Sequence, residues 1–288
     1  MRVNVGDISL FVDVVGSQLA IEGGRVRSRP TVILLHGGPA WDHLALRPAL
    51  EPLADVAQLV FYDHRGLGRS GRGDPARWTL RQWAADLHRL IGILGVERPI
   101  ILGQSFGGFV AQRFAIDYAD SYAGLILLAT AARFDLGPVV ATFERLGGVE
   151  LARLAKSFFT AAGAADRDRF LVEGLPHYTV TRSGIGALSP FEPHVLDHFF
   201  RTEGEAHSLD FRSALSSLSA PTLIVGGDRD PVILPDAVRE LGDSFSPGVA
   251  ATHILEECGH GPARDRPAEA LALIRDFIAN VVGGEECR

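Results

Sequence analysis

Pro99-Ile-Ile-Leu102-Gly103-Gln104-Ser105-Phe106-Gly107-Gly108 decides the fold. A short apolar run stops at a glycine-rich turn, and a helical pattern opens at Phe106 and runs toward Tyr118. An apolar run without alternation reads as a strand buried on both faces, the mark of a parallel sheet. Working outward, the same order recurs. Thr31–Leu35 ends in His-Gly-Gly-Pro, and Leu59–Tyr62 ends in Asp63-His-Arg-Gly. Leu125–Leu128 and Thr222–Val225 follow. Between the runs lie helices. Leu80, Trp83, Ala84, Leu87, Leu90, Ile91 and Leu94 form one apolar stripe, and Ala270, Leu273, Ile274 and Phe277 another. Asp265 is the expected cap of that last helix, with Pro267 in its first turn. Ile8–Val15 reads as an antiparallel arm at the sheet edge. The whole is α/β: a mostly parallel, doubly wound sheet with helices on both faces.

One interval breaks the alternation. The run at Leu125 and the run at Thr222 lie far further apart than one crossover helix needs. Residues 132–208 read as an inserted helical cap, and residues 1–131 and 209–288 as the core. The cap is rich in aromatics, among them Phe134, Phe143, Phe158, Phe159, Phe170, Tyr178, Phe191, Phe199 and Phe200. Most are expected to hold the cap together, and a few to face a pocket beneath it.

Composition bounds the class. The chain has 288 residues, 47% hydrophobic and 22% charged, which excludes disordered and collagen-like chains. A net charge of −7 argues against nucleic-acid binding, which needs a basic face. No apolar run is long enough for a bilayer, no secretory leader is apparent, and Cys258 and Cys287 are too few for a disulfide framework. A soluble, cytoplasmic protein with a small-molecule substrate is expected.

Gly103-Gln-Ser105-Phe-Gly107 fits G-x-S-x-G, a pattern common by chance but specific when it joins a buried strand to a helix. That setting holds a serine in a strained turn at a helix N-terminus, exposed for attack. A serine hydroxyl is a weak nucleophile and needs a base. The expected chain order is serine, acid, histidine. Asp230, in Gly-Gly-Asp-Arg-Asp-Pro, follows the Thr222 run, and His260, in Cys-Gly-His-Gly-Pro, follows the last apparent strand. Asp228 competes with Asp230 but reads better as a loop-shaping residue. His43, His88, His177, His194, His198, His207 and His253 lie on helical, cap or strand segments and read as surface or packing residues. Two backbone donors should stabilise an oxyanion. Phe106 supplies one, and Gly38 the other, because Pro39 has no N–H. His36 is expected to organise its own turn. No His/Cys cluster has ligand spacing, so neither metal nor cofactor is expected.

His-Gly-Gly-Pro, Asp63-His-Arg-Gly-Leu-Gly-Arg-Ser70, Gly-Gln-Ser-Phe-Gly-Gly, Gly-Asp-Arg-Asp and Gly-His-Gly-Pro, in that order, resemble the α/β-hydrolase superfamily. The first two resemble its proline iminopeptidase branch. The resemblance spans nearly everything outside the cap. It implies a triad of Ser105, Asp230 and His260, an oxyanion hole of Gly38 and Phe106, and a supporting turn at 63–70. Two motifs depart from the branch. Ala40 stands where iminopeptidases usually continue with glycine. GQSFGG replaces their usual GGSWGS and is common among ester, lactone and carbon–carbon bond hydrolases. The branch also implies cap carboxylates that hold the substrate's amine. Glu144, Glu150, Glu173, Glu192 and Glu203 are present, but none aligns to that role, and solvated helix faces explain them equally well. The expectation is therefore a serine hydrolase acting on a small or medium-sized carboxylic ester or lactone. The alternatives are a proline iminopeptidase and a non-catalytic ligand receptor on the same scaffold.

Overall fold

The computed structural model describes residues 1–181 and 189–286. Cys287 and the cap stretch 182–188 lie outside the described residues. Among the described residues ten strands run β1 (Arg2–Asn4), β2 (Ser9–Val15), β3 (Leu19–Glu22), β4 (Arg25–Ser28), β5 (Thr31–Leu35), β6 (Gln58–Tyr62), β7 (Ile100–Gln104), β8 (Gly124–Leu128), β9 (Thr222–Gly227) and β10 (Ala250–Leu255). Eight of them form one sheet in the order β1-β2-β6-β5-β7-β8-β9-β10. From β6 to β10 every pairing is parallel, whereas β2 pairs antiparallel with both β1 and β6. The expected edge arm is thus part of the sheet, one strand in from its edge. A separate hairpin, β3 with β4, turns at Gly23-Gly24, both at positive φ. No apolar pattern in the sequence marks it.

All residues of β5, β8 and β9 are buried. Alternate side chains supply two cores. Ile33, Leu35, Ile101 and Leu127 pack with helices Leu80–Leu94 and Phe106–Asp117 on one face. Val32, Leu34, Leu102 and Ile126 pack on the other against Leu50, Leu53 and the C-terminal helix Pro267–Glu286. Asp265 does not cap that helix. Its carboxylate instead accepts the N–H groups of Gly259 and Val180, which lie in loops that would otherwise lack partners.

Between β8 and β9 the chain forms helices Leu136–Phe158, Ala164–Glu173 and Pro193–Phe200, the first kinked at Gly147 and Gly148. Phe143 and Phe170 pack edge to face at 5.2 Å and are fully buried, as expected of residues that hold such a unit together. Among the described residues no helix is long and apolar enough to cross a membrane.

The chain runs from β5 outward to β6 and then back across to β7, so the strand order reverses beside β5. In an open α/β sheet, ligands bind at the C-terminal ends of strands at such a switch point. His36–Pro39 follows β5 and Ser105 follows β7 there, on neighbouring strands.

Candidate active site

Ser105 has φ +53° and ψ −119°, a strained conformation for a residue with a side chain. The surroundings over-determine it. Its N–H donates to the Leu128 carbonyl on β8, and its carbonyl accepts from Gly108. The flanking glycines permit the close approach: a Cβ on Gly107 would lie 2.2 Å from the Leu35 carbonyl oxygen, and one on Gly103 2.4 Å from the Gly107 oxygen.

His260 Nε2 lies 2.8 Å from Ser105 Oγ, and its Nδ1 lies 2.7 Å from Asp230 Oδ2. The other Asp230 oxygen accepts the N–H groups of Val232 and Ile233. That carboxylate is therefore satisfied on both sides while buried. Asp228 is turned away, with Oδ1 accepting from the Cys258 N–H. Cys258 offers no rival nucleophile, since its thiol is buried and pushed up to about 12 by that burial.

Gly38 and Phe106 both line the pocket over Ser105. Phe106 opens its helix, so its N–H has no carbonyl one turn behind it. His36 Nδ1 is 2.9 Å from the Gly37 carbonyl oxygen, and its Nε2 accepts from the His64 N–H. Burial holds its pKa below the ordinary value, so it is a neutral organiser of that loop. The 63–70 turn thus supports the loop after β5 more directly than the serine turn.

His43 is more than a packing residue. It is buried, and its Nδ1 lies 2.6 Å from Asp63 Oδ1. Burial alone would raise the Asp63 pKa, but this bond and the N–H groups of Arg69 and His43 hold it below the usual carboxylate range. Asp42, His43 and Asp63 place three potential metal donors within 4.8 Å of one another, which no local spacing announced. Their atoms are largely engaged: Asp42 Oδ1 accepts from Leu44, and Asp63 Oδ2 from Arg69.

Phe134, Phe158, Phe159, Phe200 and Tyr178 line the pocket, together with Trp41, Val232 and Ile233. No Asp or Glu does so among the described residues. Glu144 and Glu203 are exposed. Glu150 pairs with Arg153 of its own helix and Arg169 of the next, Glu173 with Arg169, and Glu192 with Arg72.

Residues 30–267 match the family described as alpha/beta hydrolase fold. The chain belongs to the α/β-hydrolase family. The hydrolase is 32% identical over 281 residues to a protein of Pestalotiopsis fici named proline iminopeptidase, across 93% of this chain and 98% of that one. Two solved structures share its fold. A proline iminopeptidase of Mycobacterium smegmatis has a TM-score of 0.78 at 21% identity, over 98% of both chains. A thermophilic esterase of Thermogutta terrifontis has 0.71 at 24% identity, over 98% and 99%.

Tyr178 and Arg264 belong to the hydrolase's site although no motif marks them. Tyr178 sets its ring edge-on to His260 at 5.2 Å, and its carbonyl accepts the His260 N–H at 2.6 Å. Arg264 lines the same pocket. The only sequence signal for Arg264 was a cation four residues after the histidine.

Proposed function

We propose that the hydrolase cleaves a small or medium-sized carboxylic ester or lactone through an acyl-enzyme on Ser105. The observation that carries this reading is the chain of hydrogen bonds from Asp230 through His260 to Ser105, opening on an apolar pocket. His260 takes the hydroxyl proton as Ser105 attacks the carbonyl carbon. The N–H groups of Gly38 and Phe106 hold the oxyanion. The alcohol leaves with the proton from His260. A water deprotonated by His260 then attacks the acyl group, and the acid is released with Ser105 restored. Asp230 fixes the imidazole tautomer throughout. In this reading residues 132–208 are a cap on a core of 1–131 and 209–288, and the cap aromatics form the acyl wall.

Release of N-terminal proline is the second reading, and the name of the Pestalotiopsis fici relative favours it. It requires a partner for a charged amine, because burying that charge unpaired costs several kcal/mol. The absence of a carboxylate from the described pocket wall weighs for the ester. One assay decides: p-nitrophenyl esters from acetyl to hexanoyl beside proline-β-naphthylamide. The ester reading expects kcat/KM to rise by up to about fourfold per added methylene until the pocket fills. It also expects loss of turnover in Ser105→Ala. A clear preference for the proline amide overturns it in favour of the aminopeptidase. No turnover, with no fluorophosphonate labelling of Ser105, leaves a ligand receptor.

A further inference from the structure

One turn beyond the histidine, Gly261-Pro-Ala-Arg264-Asp265 folds as a short helical turn, Pro262–Asp265, and carries Arg264 back over the site. The half-buried side chain lines the pocket together with Ser105 and His260. Its hydrogen-bonding is poor. The contact of Nη2 with the Ala45 carbonyl oxygen, at 3.5 Å, is at the limit of a hydrogen bond. A guanidinium has five donors and no acceptor, and it needs an anion when it leaves water.

The nearest acid does not supply one. The Asp265 carboxylate is taken by the N–H groups of Gly259 and Val180 and by the Thr181 hydroxyl. Among the described residues Arg264 has no ion pair. Arg65, which is fully buried, lies by contrast between Asp7 and Asp86. Burial accordingly pushes the Arg264 pKa down, with only the Asp265 charge opposing. The cap stretch 182–188 reads Arg-Ser-Gly-Ile-Gly-Ala-Leu and contains no acid. An anion for this cation therefore has to arrive with the ligand.

We propose that Arg264 binds a carboxylate of the substrate, so that the hydrolase acts on an ester or lactone that also carries a free acid. Guanidinium and carboxylate match in geometry, with two parallel hydrogen bonds. A single charge is indicated, because no second Lys or Arg lines the described pocket to meet a phosphate dianion. The surrounding walls are aromatic and aliphatic, which suits an apolar spacer between the ester and the acid. The same cation repels a protonated amine. This inference rests on the ester reading for the bond that is cleaved, but not for the binding itself.

The test uses the full chain with monomethyl esters of linear diacids from glutarate to suberate. Each is paired with the methyl ester of the monoacid of the same length, for example monomethyl adipate with methyl hexanoate. Wild type should prefer the charged member by about 10- to 100-fold in kcat/KM at the best length, as expected for a charge-assisted pair. In Arg264→Met that ratio should fall to about one or below, and Arg264→Lys should restore part of it. In parallel, adipate binding to Ser105→Ala, measured by calorimetry, should disappear when Arg264→Met is added. A preference for the neutral ester at every length in wild type overturns the proposal. So does a ratio that Arg264→Met leaves unchanged. Adipate binding that depends on Arg264, without hydrolysis of any ester, keeps the anion site and rejects the ester reading. Hydrolysis of neutral esters without such binding does the reverse.

Discussion

Asp230→Asn isolates the acid of the site with little change in shape. In the native arrangement one oxygen accepts from Val232 and Ile233 at 2.8 and 2.9 Å, while the other faces His260 Nδ1. An asparagine must choose which end meets which partner. With its NH2 toward Val232 and Ile233, donors face donors, and two buried hydrogen bonds are lost. The oxygen therefore stays there and the NH2 turns toward the histidine. Nδ1 must then accept, so the proton moves to Nε2, the atom that in the proposed mechanism takes the proton of Ser105. Restoring the working tautomer opposes a donor with a donor in a buried site. Losing one charged hydrogen bond and stranding a donor costs about 3–5 kcal/mol, or about 10²- to 10⁴-fold in kcat. Steady-state turnover of a p-nitrophenyl ester and the rate of fluorophosphonate labelling at Ser105 both report it. The melting temperature should move little, because Val232 and Ile233 keep their acceptor. Asp228→Asn, at a carboxylate that accepts from the Cys258 N–H and faces away from His260, should cost less than about tenfold. An Asp230→Asn enzyme within tenfold of wild type, or a costlier Asp228→Asn, refutes the assignment.

Two predictions concern stability. Gly107→Ala drives a Cβ to 2.2 Å from the Leu35 oxygen and 2.6 Å from the His36 oxygen, both backbone, and should destabilise by at least about 3 kcal/mol. Gly92→Ala in helix Leu80–Leu94 meets nothing within 4 Å and should be neutral or stabilising; similar melting curves for both variants contradict the packing described. His64 is buried against Trp83, with rings 4.6 Å apart, and burial holds its pKa well below the ordinary value. A depressed histidine binds its proton more readily in the unfolded chain. Its contribution is therefore complete above about pH 6.5 and declines below it by up to about 1.4 kcal/mol per pH unit. Urea midpoints should fall from pH 7 to 5, less steeply in His64→Phe, and equal slopes for both proteins would count against it.

The sheet was legible because burial on two faces leaves a simple trace: Thr31–Leu35 and Leu125–Leu128 have no polar side to show except the buried Thr31. Ser105 and Asp230 stood out because each follows such a strand, whereas His260 follows the half-exposed β10 and stood out by its Gly-His-Gly-Pro loop and its place in the chain order. What escaped depended on which donor reaches which acceptor. Asp265 fits a cap signal in every local respect, yet Gly259 and Val180 claim its oxygens. Nothing near Arg264 in the chain says that the adjacent acid is already engaged. The cap aromatics were visible as a population. Only the fold separates Phe143, fully buried among its neighbours, from Phe159, at the pocket wall.

The Asp265 clasp has a mechanical consequence. One carboxylate oxygen grips Val180 from the segment above the site and Gly259 from the loop below it, while the Tyr178 carbonyl holds the backbone of His260 itself. In the proposed mechanism this links the roof and the proton carrier like a door and its latch. Lifting the segment at 178–180 by an ångström or two must either break these hydrogen bonds or drag the imidazole off the serine. An open pocket would then hold a misaligned base, and proton transfer would await the return of the roof. Solvent reaching the serine through the open mouth would find it in its least reactive state.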